Sequence, residues 1–256
     1  MGEYEQALPL YERALSIRER VFGLAHPDVA TTLNNMALLY MMVGEYEKAL
    51  SFSERALSIR ERVLRPGHPD VATTLNTLAA LYWEMGENEK ALPLCERALS
   101  IRERVFGPVH PNVATTLCNV AALYQSQGEY KKALSLYERA LNIREHVFGP
   151  VHPDVAATLN NMAGLYETIG KYEQALPLYE RALSIQKRVL GADHPNVATT
   201  LSNVATFYYN RGKHAKALIL LRQAEKIYIE KLGEDHPHTK RTRDAIQYIE
   251  ERMASP

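Results

Sequence analysis

Apolar residues along this chain rise in steps of three and four. From Val29 the series Leu33, Met36, Ala37, Tyr40 and Val43 makes one stripe of an amphipathic helix, and a second stripe runs through Tyr46, Ala49, Leu50, Ala56, Leu57, Ile59 and Val63. Gly44 stands between them, where a helix end commonly needs a left-handed residue. The pattern predicts helix A over roughly 28–43 and helix B over roughly 45–64. Pro27 suits a first helical position. Asp28, with Asn112 and Asn196 in its place elsewhere, sets an oxygen acceptor where the first amides are unpaired.

The same pattern recurs every 42 residues. His-Pro stands at His26, His68, His110, His152, His194 and His236, and the step also carries Gly2 to Gly212, Ala7 to Ala217 and Ala14 to Ala224 without a slip. Six copies without insertion mean one supersecondary unit stacked in a row and stabilised chiefly through neighbour contacts. The expected division is a half unit over 2–25 holding helix B alone, full units over 26–67, 68–109, 110–151, 152–193 and 194–235, and a capping helix over 236–256. Pro9, Pro93 and Pro177 fall inside helix B, 84 residues apart, and an interior proline is expected to bend every second copy.

Within each unit the spacing of Leu33, Ala37, Tyr40, Gly44, Tyr46, Ala49 and Ala56 resembles the tetratricopeptide repeat, a helix-turn-helix motif usually ~34 residues long. The longer form seen here has Ala-Leu-Ser-Ile-Arg-Glu-Arg-Val followed by His-Pro-Asp-Val-Ala-Thr-Thr-Leu-Asn-Asn. It is similar to the repeats of kinesin light chain and its prokaryotic relatives. The resemblance implies an all-α fold, a right-handed αα superhelix or solenoid of tandem 42-residue helix pairs whose concave wall is built from helix A. Carried over by position, the exposed row of the first full unit is Thr31, Asn34, Leu38, Met41 and Met42. Relatives hold extended peptides there, with asparagines gripping backbone amides. That role falls to Asn34, Asn76 and Asn160, with Asn119, Asn161 and Asn203 one step along. Cys118 takes an asparagine-type place, and the five helix A rows carry no Lys or Arg, which departs from carboxylate-clamping relatives.

One place in that row changes character from copy to copy: Met41, Trp83, Gln125, Glu167, Tyr209. Residues that hold the fold barely vary between copies, so Met41, Trp83 and Tyr209 are candidate apolar anchors for a ligand.

Composition narrows the function classes. Lys and Arg number 30 against 30 Asp and Glu, for a formal net charge of zero. Nucleic acid and anionic membrane surfaces both demand clustered positive charge, so neither is expected as a partner. Apolar runs are far shorter than the ~20 residues that span a bilayer, and Met1-Gly2-Glu3-Tyr4 opens no signal peptide, which makes a cytoplasmic setting the default. The two cysteines, Cys95 and Cys118, form no disulfide framework or metal spacing, and Cys95 takes an aromatic core place as a buried thiol. Equivalent histidines on stacked helices lie ~10 Å apart, whereas zinc ligands converge within ~2.3 Å of one ion, so the periodic histidines read as structural. Glu12-Arg13 and Arg18-Glu19-Arg20 with their copies read as a solvated convex face bearing ion-pair ladders.

The two ends differ. In the last helix Ile246, Ile249 and Met253 keep the inner apolar places, while Arg243, Gln247 and Glu250 replace Leu33-, Ala37- and Tyr40-type residues, as a C-terminal cap requires. The first helix B lacks a helix A before it and presents Ala7, Leu10, Tyr11 and Ala14 bare. That edge is expected to fray, to self-associate with another copy, or to mark a segment of a longer protein. No phosphate-cradling loop, nucleophile–base pair or convergent carboxylates stand out, so neither enzyme activity nor a cofactor is expected. The expected function is a protein-interaction scaffold for a neutral, partly apolar peptide or partner segment. The competing reading is a self-assembling repeat segment or the sensor arm of a larger signalling protein.

Overall fold

The computed structural model describes the chain from Gly2 to Ala254, with side chains described from Ala7 onward. Its described residues form twelve helices and no strand: α1 Gly2–Phe22, α2 Pro27–Met42, α3 Tyr46–Val63, α4 Pro69–Glu84, α5 Asn88–Phe106, α6 Pro111–Ser126, α7 Tyr130–Phe148, α8 Pro153–Thr168, α9 Tyr172–Leu190, α10 Pro195–Asn210, α11 His214–Leu232 and α12 Pro237–Ala254. Even-numbered helices are the A type and odd-numbered ones the B type. By contact they group into two compact units, residues 1–136 and 137–256, each described by itself.

Each A helix starts on a histidine. His26 sits in extended backbone, and its ring Nδ1 accepts the N–H of Asp28 at 3.2 Å. The same bond recurs from His68, His110, His152, His194 and His236 at 3.1–3.2 Å. This corrects the expectation that the Asp28-type oxygen is the cap. Nδ1 lies as many bonds from Cα as an asparagine Oδ1, so imidazole reaches the same amide, while proline fills the first helical position whose missing N–H needs no partner. Asp28, Asp70 and Asp154 instead place negative charge in the first turn, where the helix dipole favours it.

Each A helix from α2 to α10 ends in a Schellman turn. Gly44 adopts φ +82°, its N–H reaches the Met41 carbonyl at 3.1 Å, and the Glu45 N–H reaches back to Tyr40 at 2.9 Å. A Cβ at that φ would be strained, which explains a glycine at 44, 86, 128, 170 and 212. The B helices carrying Pro93 and Pro177 run unbroken through them.

The tight turn folds B back antiparallel on A. Val29, Ala30 and Leu33 at the start of α2 meet Ala56 and Ile59 near the end of α3, while Met36, Ala37 and Tyr40 meet Ala49 near its start. Alanines 49, 56, 91 and 98 are fully buried, so the backbones approach closely at the places where only a methyl fits.

A second tie was absent from the expected picture. Arg18, Arg60, Arg102 and Arg144 do not join a solvated face. Arg60 and Arg144 are buried, and each arginine reaches from helix B to the next helix A. Arg60 donates Nη1 to the Asp70 carbonyl at 2.9 Å and to Thr74 Oγ1 at 2.6 Å, and Arg18, Arg102 and Arg144 repeat the pattern. A planar fork saturates two acceptors at once, which makes burial of its charge tolerable. In the next copy Gln186 accepts the Thr200 hydroxyl at 2.8 Å. The neighbouring charges do form the expected outer ladder between consecutive B helices: Arg55–Glu19 at 2.5 Å, Arg97–Glu61 and Arg181–Glu145 at 2.6 Å.

In α12, Ile246 and Ile249 are buried, and its outer face is ionic, with Arg243 on Glu225 at 3.1 Å and Glu250 on Arg222 at 2.6 Å. Met253, expected inside, is exposed: it stands in the last turn, where none of the described residues covers it.

Candidate partner-binding faces

In the unit of residues 137–256, three polar contacts between consecutive A helices are offset by 43 residues rather than 42. Asn203 donates to Asn160, Asn210 to Glu167 and Arg252 to Tyr209. In that unit these contacts pair a side chain with the residue after its own repeat equivalent.

In the unit of residues 1–136 the face is apolar and open. Leu38 and Met42 of α2 and Trp83 of α4 are exposed, Met42 to 57% and Trp83 to 38%. Met41 is half-buried against the Met36–Ala37–Tyr40 cluster. Asn34 lies at 4% exposure with its Oδ1 buried and unpartnered, so it lines the floor rather than the surface. Asn76 is half-buried. Its amide reaches Thr116 Oγ1 at 3.4 Å, and its Oδ1 has no partner. Asn119 is exposed, and Cys118 is buried, off the exposed row. Cys95 is buried as well, and burial pushes its thiol up to about 12. Neither thiol is an available nucleophile.

The unit of residues 137–256 presents a polar face. Asn160 Oδ1 accepts from Asn203 at 3.2 Å, leaving Asn161 exposed beside them. Glu167 accepts from Asn210 at 2.9 Å and from the buried Tyr179 hydroxyl at 3.2 Å. Burial and that carboxylate push the tyrosine's ionisation up. Tyr209 is half-buried, and Arg252 donates to its hydroxyl and to that of Tyr248, both at 3.0 Å. Hydrogen bonding with the neighbouring Tyr248 hydroxyl, and next with Arg252, lowers the ionisation of Tyr209. An apolar cavity of about 110 Å³ lies under this trio, lined by Ala205, Leu221, Ala245 and Ile249. Arg252 thus brings to the face a cation that the five full units lack. Its signal in the sequence is the offset of 43 from Tyr209, legible only once the contacts between A helices are known.

No helix among the described residues is long and apolar enough to cross a membrane. No group of three or more His, Cys, Asp or Glu among them could hold a metal ion.

Tandem helix pairs with small residues at the crossings and Schellman turns between their helices define a helical repeat protein. The chain belongs to the tetratricopeptide repeat family, whose model matches residues 1–62, 28–94, 70–146, 119–188 and 154–230. This family generally mediates protein–protein interaction and is generally non-enzymatic. Among solved structures the chain is similar to BtubC (BKLC) from P. vanneervenii, with 25% identity and a TM-score of 0.71 over 91% of this chain and 94% of that one. It is also similar to the nearly identical TPR-like repeats assigned to a kinesin light chain of Podosopora anserina, with 25% identity and a TM-score of 0.63 over 81% of this chain and 98% of that one. A point-substituted form of those repeats gives 0.65 over 80% and 97%, again at 25% identity. No curated protein sequence matches the chain.

Proposed function

We propose that the chain is a protein-interaction scaffold whose A-helix faces hold an extended, largely neutral and partly apolar segment of a partner. The observation that carries this reading is the exposure of Leu38, Met42 and Trp83 together on α2 and α4. Large apolar side chains left in water on one face are costly unless something covers them, and aromatic anchors dominate interface energetics. Asn76 and Asn119 beside them, and Asn161 with the Asn160–Asn203 pair in the other unit, supply amides for peptide backbone. Tyr209 over its small cavity offers a second anchor of more polar kind. The likeness to kinesin-light-chain repeats supports the same reading.

Peptides selected on the chain from a random display library should lose at least tenfold in affinity on Trp83→Ala, about 1.4 kcal/mol. They should lose less on Asn76→Ala, with far-ultraviolet circular dichroism unchanged. Trp83 is the sole tryptophan, so its emission should shift as peptide binds. Selected peptides that bind Trp83→Ala and Met42→Ser chains as tightly as the parent would retire the groove.

A further inference from the structure

One place in the B helices changes its side chain from copy to copy: Tyr11, Ser53, Cys95, Tyr137, Tyr179, Leu221. The last two of these show what the change does. In α9 the Tyr179 side chain is buried, its hydroxyl donates to Glu167 at 3.2 Å, and its oxygen comes within 3.6 Å of where a Cβ on Gly164 would stand. In α11 the same place holds the shorter Leu221, and Thr206 and Tyr209 stand 42 residues after Gly164 and Glu167. The cavity of about 110 Å³ is lined by these three residues, the equivalents of the tyrosine and its two contacts, together with Ala245, Tyr248 and Ile249 of α12. A tyrosine exchanged for leucine inside the stack thus accounts for the hollow.

Its rim has changed polarity as well. At the tip of the Tyr179 ring the polar partner is a carboxylate, an acceptor, whereas beside the cavity Arg252 donates Nη1 to the hydroxyls of Tyr209 and Tyr248, both at 3.0 Å. No carboxylate among the described residues engages this guanidinium, so Nε and Nη2 keep the side-on fork that holds a carboxylate through two parallel hydrogen bonds. We propose that the cavity binds an arylalkanoic acid, with its ring against Leu221, Ala245 and Ile249 and its carboxylate on Arg252. An apolar cavity of about 150 Å³ can hold benzene. Here Thr206 and Tyr248 at the edge are exposed, so a ring need not be wholly enclosed. A small free acid and the C-terminal phenylalanine of a partner share this chemistry. The proposal does not rest on the groove reading, which Leu38, Met42 and Trp83 carry in the other unit.

Phenylacetate is the probe, titrated into the full chain and followed through the methyl resonances of Ala245 and Ile249. Saturable one-to-one binding is expected, with a Kd of about 1 mM or below. Phenylacetamide, which keeps the shape without the charge, should bind at least tenfold more weakly, as should phenylacetate on Arg252→Gln. Leu221→Tyr restores the residue that α7 and α9 carry and should abolish binding. If that chain loses the parent's helicity, Arg252→Gln at the exposed rim decides instead. Trp83→Ala should leave the affinity unchanged. A tetrapeptide ending in phenylalanine carboxylate, set against its C-terminal amide, separates the sources: tighter binding than phenylacetate marks a partner's C terminus, weaker binding a free acid, and either supports the site. Absence of saturation at about 20 mM phenylacetate overturns the proposal. So does equal binding of acid and amide, or full affinity in a folded Leu221→Tyr or Arg252→Gln chain.

Discussion

The first helix, over residues 4–17, and the ninth, over 172–185, share fourteen consecutive residues and present opposite surfaces. In α9 the alanines vanish into contact with α8 and Ile185 is sealed, whereas in α1 Ala7 and Ala14 are only half-buried and Ile17 is exposed. Helix formation is indifferent to this, because the 3.6-residue period, the absence of glycine and the run of good helix formers are the same in both. What differs is the neighbour. In a repeat protein each helix takes its burial from adjacent units, so the stability carried by a side chain belongs to the pair of helices and not to its own sequence.

The comparison can be broken most directly by truncation. Ile185→Ala should cost about 2–5 kcal/mol in urea unfolding, since it empties a sealed site, while Ile17→Ala should cost under ~1 kcal/mol. Equal losses would mean that α1 is covered after all. Thiol reactivity sharpens the same contrast at one repeat position, shared by Tyr11, Cys95 and Tyr179. The native Cys95 thiol is held at about 12 by burial, so at pH 8 it is almost wholly protonated. A thiol introduced as Tyr11→Cys should react with an aromatic disulfide reagent at least tenfold faster than Cys95, measured under native conditions. The smallest effect concerns the outer ion pairs. Arg55–Glu19 ties α3 to α1 and Arg181–Glu145 ties α9 to α7, both with substantial solvent exposure. Arg55→Ala and Arg181→Ala should each cost no more than ~1 kcal/mol, and less in high salt. A loss well above that at Arg181 alone would show that burial of α9 strengthens its ladder.

Much of this was legible in residue spacing. Helix limits fall within about a residue of the apolar stripes, because glycine and His-Pro punctuate every copy and leave little latitude. The cap atom was not legible: an Asp or Asn one place inside a helix is the usual suspect, and only the extended backbone of His26 shows that imidazole reaches the amide. Nor was the fate of Arg18 and its copies. A charged residue between Ile17 and Glu19 reads as surface, and its partner Thr32 lies fourteen residues away on another helix. Of the groove residues, Trp83, Asn119 and Asn161 stand exposed, whereas Asn34 lies beneath the surface although its repeat equivalents Asn76 and Asn160 are half-buried.

By itself the sequence determined the repeat period, the helices and their turns, since these depend on local dihedral preference and on an apolar stripe that each helix carries along its own length. Only the tertiary structure decided which faces are covered, which arginines are buried and which residue sits beside which on the A-helix surface. Those depend on which helix lies alongside and at what offset, and so on contacts between residues far apart in sequence. Two identical stretches of chain with unlike surroundings contain no local difference from which either could be read.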